Sequence, residues 1–199
     1  NGFANHIGMK HNIKEAIKQI KYSKIIRVDS CTINNLPFVN VAGIGFDAHI
    51  AKLFSKSKKR GFLKYVKLIL KELMYDPQEY NISYNNNKQK FKAYMISIAN
   101  ASEYGNNIQI APMANIQDGL LDFVIVKKFP KWEIPFFLYK AYQGKIYLSK
   151  HVDIIQTNKM QIHTKNTLIH LDGEPYKTTN PIKINLLKNS LKILKPNEK

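Results

Sequence analysis

The feature that most constrains the fold of this chain is the alternation of apolar and polar residues that begins near residue 80. Tyr80, Ile82 and Tyr84 alternate with polar side chains, and a second strand-like run covers residues 91–98. A period of two puts successive side chains on opposite faces of a β-strand, and the asparagines at 85–87 are typical of a tight turn. The two runs therefore predict a hairpin with one buried face.

More strand-like runs are spread along the chain. Before the hairpin they cover residues 25–33 and 37–43, and after it they cover residues 121–126, 152–157, 160–164, 167–171, 182–187 and 191–194. Short strands divided by turn residues at this spacing are typical of a sandwich or a barrel. The sequence therefore predicts a mainly β fold with a few helices (α+β), in one ordinary domain or one domain plus a fragment of another.

Three segments have helical periodicity instead. Residues 13–22 carry isoleucines three to four positions apart, and residues 62–73 place apolar side chains on one face with lysines opposite. Residues 132–142 are helix-like with Pro135 in the first turn, where proline is tolerated. The first helix precedes the β region and its apolar face needs a partner, so we expect that a preceding domain is missing.

The charge balance restricts the partners of the protein. The chain has 31 Lys and Arg against 14 Asp and Glu, a net charge of +17, and only Arg27 and Arg60 are arginine. Such a field attracts nucleotide phosphates or an anionic membrane leaflet, although solvated lysines without a binding role would give the same composition. Because lysine is poorly suited to bidentate base recognition, we expect no specific nucleic-acid partner.

Cysteine usage and hydropathy indicate the compartment. The single Cys31 excludes an intramolecular disulfide, which fits a reducing environment, and no apolar run is long enough to span a bilayer. We expect a soluble, cytoplasmic protein.

Two acidic turns are the best candidates for chemistry. In the first, Asp118 and Asp122 flank a Gly-Leu-Leu segment, and carboxylates with turn carbonyls are the ligands that Mg²⁺ or Ca²⁺ prefers. In the second, Asp172 and Glu174 follow a predicted strand, where one carboxylate could act as a base in a cleft. The first turn could instead be a plain β-turn in which Asp118 only caps backbone amides, and the second could be a plain hairpin turn.

Other motifs give weaker evidence for a function. Residues 40–47 run from a strand into a possible helix, but Gly43 and Gly45 lack the third glycine of a dinucleotide loop, and Asp47 is interpreted as a first-turn or capping residue. The six histidines have no paired spacing of a zinc site, and neither a Gly-x-Ser-x-Gly motif nor a reactive-cysteine context is present.

Taken in order, these pieces resemble the bacterial diacylglycerol kinase and sphingosine kinase family of lipid kinases. The motifs that carry the resemblance are NVAGIGFDA at 40–48, Ala-Asn at 99–100, Tyr-Gly at 104–105, Ala-Pro at 111–112 with Ala114, DGLLD at 118–122 and DGE at 172–174. The opening NGFANHIG is similar to the family's Gly-Thr-Gly-Asn-Asp-Phe-Ala-Arg segment, joined partway through, with Gly2 at a position where many members carry aspartate.

The resemblance implies a two-domain enzyme that uses ATP and Mg²⁺ to phosphorylate a lipid hydroxyl, of diacylglycerol or a related lipid. Residues 1–24 would be a remnant of the N-terminal α/β ATP-binding domain, and residues 25–199 would form the C-terminal β-sandwich domain. The family's Gly-Gly-Asp-Gly nucleotide loop does not occur in this sequence. The isolated chain is therefore expected to be inactive.

The resemblance also implies roles for single residues. Asp118, the Leu120 carbonyl and Asp122 would hold a structural Mg²⁺. Asn1 would contribute to the cofactor-binding segment.

In the second turn, Glu174 would act as the base toward the lipid hydroxyl, with Asp172 in support. The lysine-rich helix at 62–73, together with Lys56, Lys58, Lys59 and Arg60, would dock on an anionic leaflet, which makes the protein peripherally membrane-associated. Family members often form homodimers, which is possible here.

Two alternatives remain open. One is a NAD-kinase-like phosphotransferase of the same superfamily, which acts on a soluble nucleotide. The other is a non-catalytic module that binds anionic membranes through its lysines.

Overall fold

The main feature of the computed structural model, which describes residues 2–57, 61–72, 74–105 and 107–197, is a curled antiparallel sheet of eleven strands with a separate two-stranded hairpin. The strands are β1 (Lys24–Ile33), β2 (Leu36–Phe38), β3 (Val41–Gly45), β4 (Gln78–Tyr84), β5 (Asn87–Ala99), β6 (Glu103–Gly105), β7 (Ile108–Gln109), β8 (Leu121–Lys127), β9 (Val152–Thr157), β10 (Lys159–Thr164), β11 (Leu168–Leu171), β12 (Glu174–Lys177) and β13 (Ile182–Lys195). The prediction of a mainly β fold is confirmed.

Five helices accompany the sheet in the described part of the chain. They are α1 (Gly2–His6), α2 (Ile13–Lys21), α3 (Phe46–Ser55), α4 (Phe62–Lys71) and α5 (Ile134–Tyr142), with single 3₁₀ turns at Lys131–Glu133 and Ile146–Leu148. The three helices expected from the sequence are confirmed, except that Leu73 lies outside the described residues. None of these helices has the length and hydropathy needed to cross a bilayer.

The sheet curls because the inner strand β5 changes partners along its length. The strand order is β12-β11-β3-β5-β4-β10-β13-β1-β2, and β8 joins β5 to β9. The first half of β5 pairs with β4, whereas its second half pairs with β3 on one side and β8 on the other. The inner face of the curl holds the largest apolar core, which includes Phe38, Tyr80 and Phe123.

The predicted strand at 37–43 is wrong in one respect, because the structure divides it into β2 and β3. The break occurs where the carboxylate of Asp172 accepts hydrogen bonds from the backbone N–H groups of Val39, Asn40 and Val41, at 2.9 to 3.2 Å. A distant side chain therefore takes the amides that a continuous strand would give to a neighbouring strand.

The two strands predicted at 182–187 and 191–194 are one strand, β13. Its pairing with β1 shifts register between Val28 and Ser30, and Asn189 lies opposite that irregularity with a φ of 52°. The buried carboxylate of Asp29 accepts the Asn189 N–H at 2.7 Å, which stabilises the bulge without ending the strand.

The helix at the start of the chain is only partly packed. Ile7, which follows α1, is buried in a small cluster with Val28, Ala101 and Ile116, so α1 lies against the β region. No residue of α2 is buried, and its isoleucines are exposed. The assignment of residues 1–24 to a remnant of another domain stays a prediction.

Candidate functional site

A deep apolar pocket lies between the outer face of the sheet and three helices. Its volume is about 500 Å³, and its lining comes from α3, α4, α5, β5, β8 and the β6–β7 hairpin. The apolar lining includes Phe46, Ile50, Val66, Ile69, Met95, Ile110, Val126, Phe129, Phe137 and Ile146. A cavity of this size with so few polar groups suits a hydrocarbon ligand.

Two of the tyrosines that line the pocket, Tyr75 and Tyr94, are held in the neutral form. Burial raises the pKa of Tyr75 and of Tyr94, which outweighs the opposing hydrogen bonds at Tyr75. Both phenols line the pocket and remain protonated at neutral pH.

One end of the pocket carries a buried carboxylate, that of Asp47 in the first turn of α3. Its Oδ2 accepts hydrogen bonds from the hydroxyls of Ser97 at 3.2 Å and Tyr104 at 2.5 Å. Nε2 of His170 lies 2.9 Å from the same oxygen, although its N–H is not aligned for a hydrogen bond. Four elements therefore meet at a polar cluster at the end of an apolar cavity.

A glycine provides the space for this cluster. A Cβ at Gly43 of β3 would overlap the Asp47 carboxylate and Nε2 of His170, which lies on the neighbouring strand β11. The absence of a side chain at Gly43 thus allows Asp47 and His170 to approach each other closely.

His170 connects the polar cluster to the second acidic turn. Its Nδ1 accepts the N–H of Gly173 at 3.3 Å, so the proton of the neutral ring lies on Nε2, which faces Asp47. The His170 side chain is only 3% exposed. The turn that carries Glu174 is thereby held next to the polar end of the pocket.

The second acidic turn is a two-residue hairpin loop between β11 and β12. Asp172 and Gly173 both have positive φ values, 50° and 92°, which is the conformation preferred in tight hairpins. Asp172 directs its carboxylate to the three amides of residues 39–41. Its contacts are those of a residue that positions the turn.

Glu174 is exposed at the start of β12, paired with Leu171. It is not part of the pocket lining. Its turn is tied to the polar cluster through His170. The predicted role of Glu174 as the base stays a prediction.

The first acidic turn leads into β8. Oδ1 of Asp118 accepts the N–H of Leu120 at 2.9 Å, and Asp118 is exposed. Asp122 is buried, and its Oδ1 accepts a hydrogen bond from Gln156 at 2.7 Å. Burial raises the pKa of Asp122; the Gln156 hydrogen bond opposes this, and the charge of Asp118 adds to the rise.

Carboxylate and carbonyl oxygens are the ligands that a hard cation prefers. The charge of Asp118 acts on Asp122 at the start of β8, and a divalent ion would relieve that repulsion. Nζ of Lys188 donates to the backbone carbonyl of Asp118 at 3.3 Å. In the described part of the chain no group of three or more His, Cys, Asp or Glu side chains comes together. A metal at Asp118, Leu120 and Asp122 therefore stays a prediction.

The two acidic turns belong to one connected region. The amide of Asn100 donates to the carbonyls of Val39 and Asp29, at 2.8 and 3.1 Å. The Asp29 carboxylate in turn accepts the N–H of Gly119 at 2.8 Å. Since the segment at Val39 also binds the Asp172 carboxylate, a continuous hydrogen-bond path links both turns.

Sequence reasoning missed the residues of the polar cluster. The sequence pattern predicts only a capping or first-turn position for Asp47, and it assigns no role to His170, Tyr104 or Ser97. The available signal was that three of these four polar residues lie within otherwise apolar runs, which is unusual unless they are paired. The predicted cofactor-binding residue Asn1 lies outside the described residues.

The lysine-rich segment predicted to contact a membrane is described only in part. Lys56 and helix α4 are described, whereas Lys58, Lys59 and Arg60 lie outside the described residues. Residues of α4, Val66 and Ile69, line the pocket, so this helix closes one side of the cavity.

Comparison with known proteins agrees with this architecture. A family model described as the YegS C-terminal NAD kinase beta sandwich-like domain matches residues 40–195. Two relatives named "Probable lipid kinase YegS-like" are similar: one from Chromohalobacter salexigens is 26% identical over 88% of this chain, and one from Shewanella frigidimarina is 29% identical over 89%. The chain spans 58% and 59% of their respective lengths.

A crystal structure of a diacylglycerol kinase from Bacillus anthracis has the same fold. It superposes with a TM-score of 0.71 and 21% identity over 99% of this chain and 63% of that one. The resemblance to bacterial lipid kinases of the diacylglycerol kinase type is thus confirmed. Because the family model covers most of the chain, this protein belongs to the family of YegS C-terminal, NAD kinase β-sandwich-like domains.

Proposed function

We propose that this chain is the lipid-binding part of an ATP- and Mg²⁺-dependent lipid kinase that phosphorylates a hydroxyl of diacylglycerol or a related lipid. The observation that carries the proposal is the apolar pocket of about 500 Å³ that ends at Asp47 and Tyr104. Its lining offers contact to hydrocarbon chains, and its polar end offers hydrogen-bonding groups to the glycerol or other polar backbone of the lipid.

The second acidic turn would supply the base. Phosphoryl transfer needs a carboxylate near the attacking hydroxyl, and Glu174 is exposed on the turn that His170 ties to the end of the pocket. Asp172 would hold the turn in place through its three backbone contacts. Glu174 would accept the proton of the lipid hydroxyl as the oxygen attacks.

Mg²⁺ would have a structural role at the first acidic turn. Asp118, the Leu120 carbonyl and Asp122 would hold it, and its charge would offset the repulsion between the two carboxylates. ATP would be bound by a part of the enzyme that corresponds to the remaining length of the relatives. In this proposal, the chain contributes acceptor binding and the base.

A ligand-binding experiment tests the proposal. A water-soluble, short-chain diacylglycerol is titrated into the chain by calorimetry, with NAD as the competing candidate because the family description also names NAD kinase. We expect the diacylglycerol to bind and NAD not to bind. Binding of NAD alone would favour the nucleotide kinase.

Two variants locate the binding site. Ala141, buried on α5 and lining the pocket, is replaced by Phe to fill the cavity, and Ala141→Phe is expected to weaken diacylglycerol binding by about tenfold or more. Glu174→Gln, outside the lining, is expected to bind as the wild type does. Equal binding by wild type and a folded Ala141→Phe variant would place the ligand elsewhere.

A further inference from the structure

Helix α5 has two apolar faces, and only one of them is buried. Its inner face, with Ile134, Phe137 and Ala141, lines the pocket. Its outer side carries Phe136 and Tyr139, which are 65% and 60% exposed. Trp132, four residues before Phe136, is 70% exposed in the turn that leads into the helix. Positions 132, 136 and 139 share one side of a helical path, so the exposed aromatic rings form a stripe.

The stripe continues onto neighbouring elements. Nζ of Lys131 lies 2.8 Å from Sδ of Met74, which brings the start of α5 next to the residues that follow α4. Met74 is 78% exposed, and Leu70 on α4 is also exposed. We call this surface the α5 rim; it comprises Leu70, Met74, Trp132, Phe136, Tyr139 and Tyr142.

The α5 rim adjoins the mouth of the pocket. Tyr139 and Tyr142 both line the cavity and are more than half exposed, so they lie where the cavity meets the surface. A ligand that enters there passes the exposed rings.

The charges on the α5 side of the rim are almost all positive. Residues 128–150 contain five lysines and one acidic residue, Glu133. The Glu133 carboxylate lies 3.0 Å from the ring of His151, whereas Lys128, Lys145 and Lys150 are exposed. On the α4 side, Asp76 is exposed near Met74. The α5 side of the rim is therefore bordered in sequence by lysines that face solvent.

This combination fits an anionic bilayer better than a protein partner. Protein interfaces are enriched in arginine and depleted in lysine, and residues 128–150 contain five lysines and no arginine. Tryptophan and tyrosine rings favour the headgroup level of a membrane, and flanking lysines interact with anionic headgroups.

We propose that the α5 rim docks on an anionic bilayer, with Trp132 and Phe136 inserted at the boundary between headgroups and acyl chains. Docking places the mouth of the pocket on the membrane, so that a lipid can enter the pocket without crossing water. The entry of a lipid rests on the proposed function, whereas the docking itself does not. The lysine-rich segment before α4 was the surface expected from sequence, and the rim adds an apolar element to it.

The sole tryptophan makes the docking measurable. Trp132 is the only tryptophan of the chain, so its fluorescence reports on the rim alone. Vesicles of phosphatidylcholine with phosphatidylglycerol are expected to shift its emission to the blue, and brominated acyl chains are expected to quench it. Vesicles of phosphatidylcholine alone should give little change, and salt at about 1 M, where the Debye length falls to about 3 Å, should weaken the binding.

A matched pair of variants tests the location. Phe136→Ser in the rim is expected to weaken partitioning into anionic vesicles by about tenfold. Ile17→Ser on α2 is the control, since Ile17 is 63% exposed on another amphipathic helix and is not among the residues that line the pocket. It should bind as the wild type does. Lys145→Gln with Lys150→Gln should weaken binding by about fivefold per lysine.

Several outcomes would overturn the proposal. These are an unshifted Trp132 emission with anionic vesicles, an equal effect of Phe136→Ser and Ile17→Ser, or a blue shift that depends on protein concentration without vesicles. The last would assign the rim to a second copy of the chain. If the protein docks on vesicles but does not bind soluble diacylglycerol, the proposed function is wrong and the membrane-docking proposal stands. If it binds soluble diacylglycerol but does not dock, the docking proposal is wrong and the proposed function stands.

Discussion

Asp172 and Glu174 lie two residues apart in one hairpin, yet their surroundings give them different tasks. Both side chains are exposed, but the carboxylate of Asp172 accepts three backbone N–H groups. Hydrogen bonds to a charged acceptor contribute more to stability than neutral ones. The two acids should therefore respond differently to removal of charge.

We expect Asp172→Asn to lower the free energy of unfolding by about 1–3 kcal/mol, because the amide replaces the charged acceptor and offers a single acceptor oxygen. Glu174→Gln should change it by less than about 0.5 kcal/mol, as is usual for an exposed position. Urea denaturation of both variants measures the difference. If the two changes proved equal, the positioning role of Asp172 would be wrong.

His6 gives the fold a sensitivity to acid. Its Nδ1 accepts hydrogen bonds from the hydroxyl and the N–H of Ser102, at 2.8 and 3.2 Å, which requires an unprotonated nitrogen. Burial lowers the pKa of His6 from its ordinary 6.5; the charge of Glu103 opposes this and that of Lys195 adds to it.

A lowered histidine pKa means that the folded state favours the neutral ring. The stabilisation is complete above pH 6.5 and is lost as the pH falls through the lower, folded-state pKa. We expect the free energy of unfolding to decline from pH 7.5 to pH 5, and to decline less in His6→Asn. His163→Asn, at an exposed position, is the control and should keep the wild-type slope.

At the scale of elements, the turn before β8 places a buried acid beside an exposed one. Burial and the charge of Asp118 raise the pKa of Asp122 above 3.8 against the opposing Gln156 contact, so the folded state favours the protonated acid. The contribution of this group to stability is complete below pH 3.8 and is lost as the pH rises through its folded-state pKa. At neutral pH the turn carries unfavourable negative charge unless a cation offsets it.

We therefore expect Asp122→Asn to be at least as stable as the wild type in the absence of Mg²⁺. Added Mg²⁺ at ten times its dissociation constant should raise the free energy of unfolding of the wild type by about 1.4 kcal/mol and leave the variant unchanged. Thermal denaturation with and without Mg²⁺ measures both effects. An identical response of the two proteins to Mg²⁺ would exclude Asp122 as a ligand.

At the scale of the whole molecule, a curled sheet presents an apolar pocket and two acidic turns as one connected region. The chain spans 58% and 59% of the two YegS-like relatives, and its sequence contains no Gly-Gly-Asp-Gly nucleotide loop. Phosphoryl transfer requires the nucleotide phosphates to be positioned as well as the acceptor. In the proposed function, this chain therefore binds the lipid acceptor, and a separate part of the enzyme binds the nucleotide.

We expect the 199-residue chain to transfer no phosphate from ATP to diacylglycerol above background. Radiolabelled ATP with diacylglycerol vesicles, followed by lipid extraction, measures the transfer. Glu174→Gln is the matched control, and both proteins should give the same background. Transfer by the wild type that is lost in Glu174→Gln would show that the chain needs no further domain, and would contradict that part of the proposal.

The sequence by itself determined the elements and the family. The period of two and the turn residues predicted β4, β5, β8, β9, β10, β11 and β13, but not the short strands β6, β7 and β12, because side-chain alternation is a local property that only longer strands display. The acidic turns could also be found, since their residues are adjacent in sequence. The exceptions, at residues 39–40 and 188–190, are places where Asp172 and Asp29 capture backbone amides from afar.

Only the tertiary structure decided what those elements enclose. The polar cluster joins residues 47, 97, 104 and 170, and the pocket draws on helices and strands from residue 46 to residue 146. No local pattern encodes such contacts, because they depend on how the sheet curls and which strands become neighbours. The sequence shows the helical pattern of α5. Its division into a face that lines the pocket and an exposed aromatic face follows from packing alone.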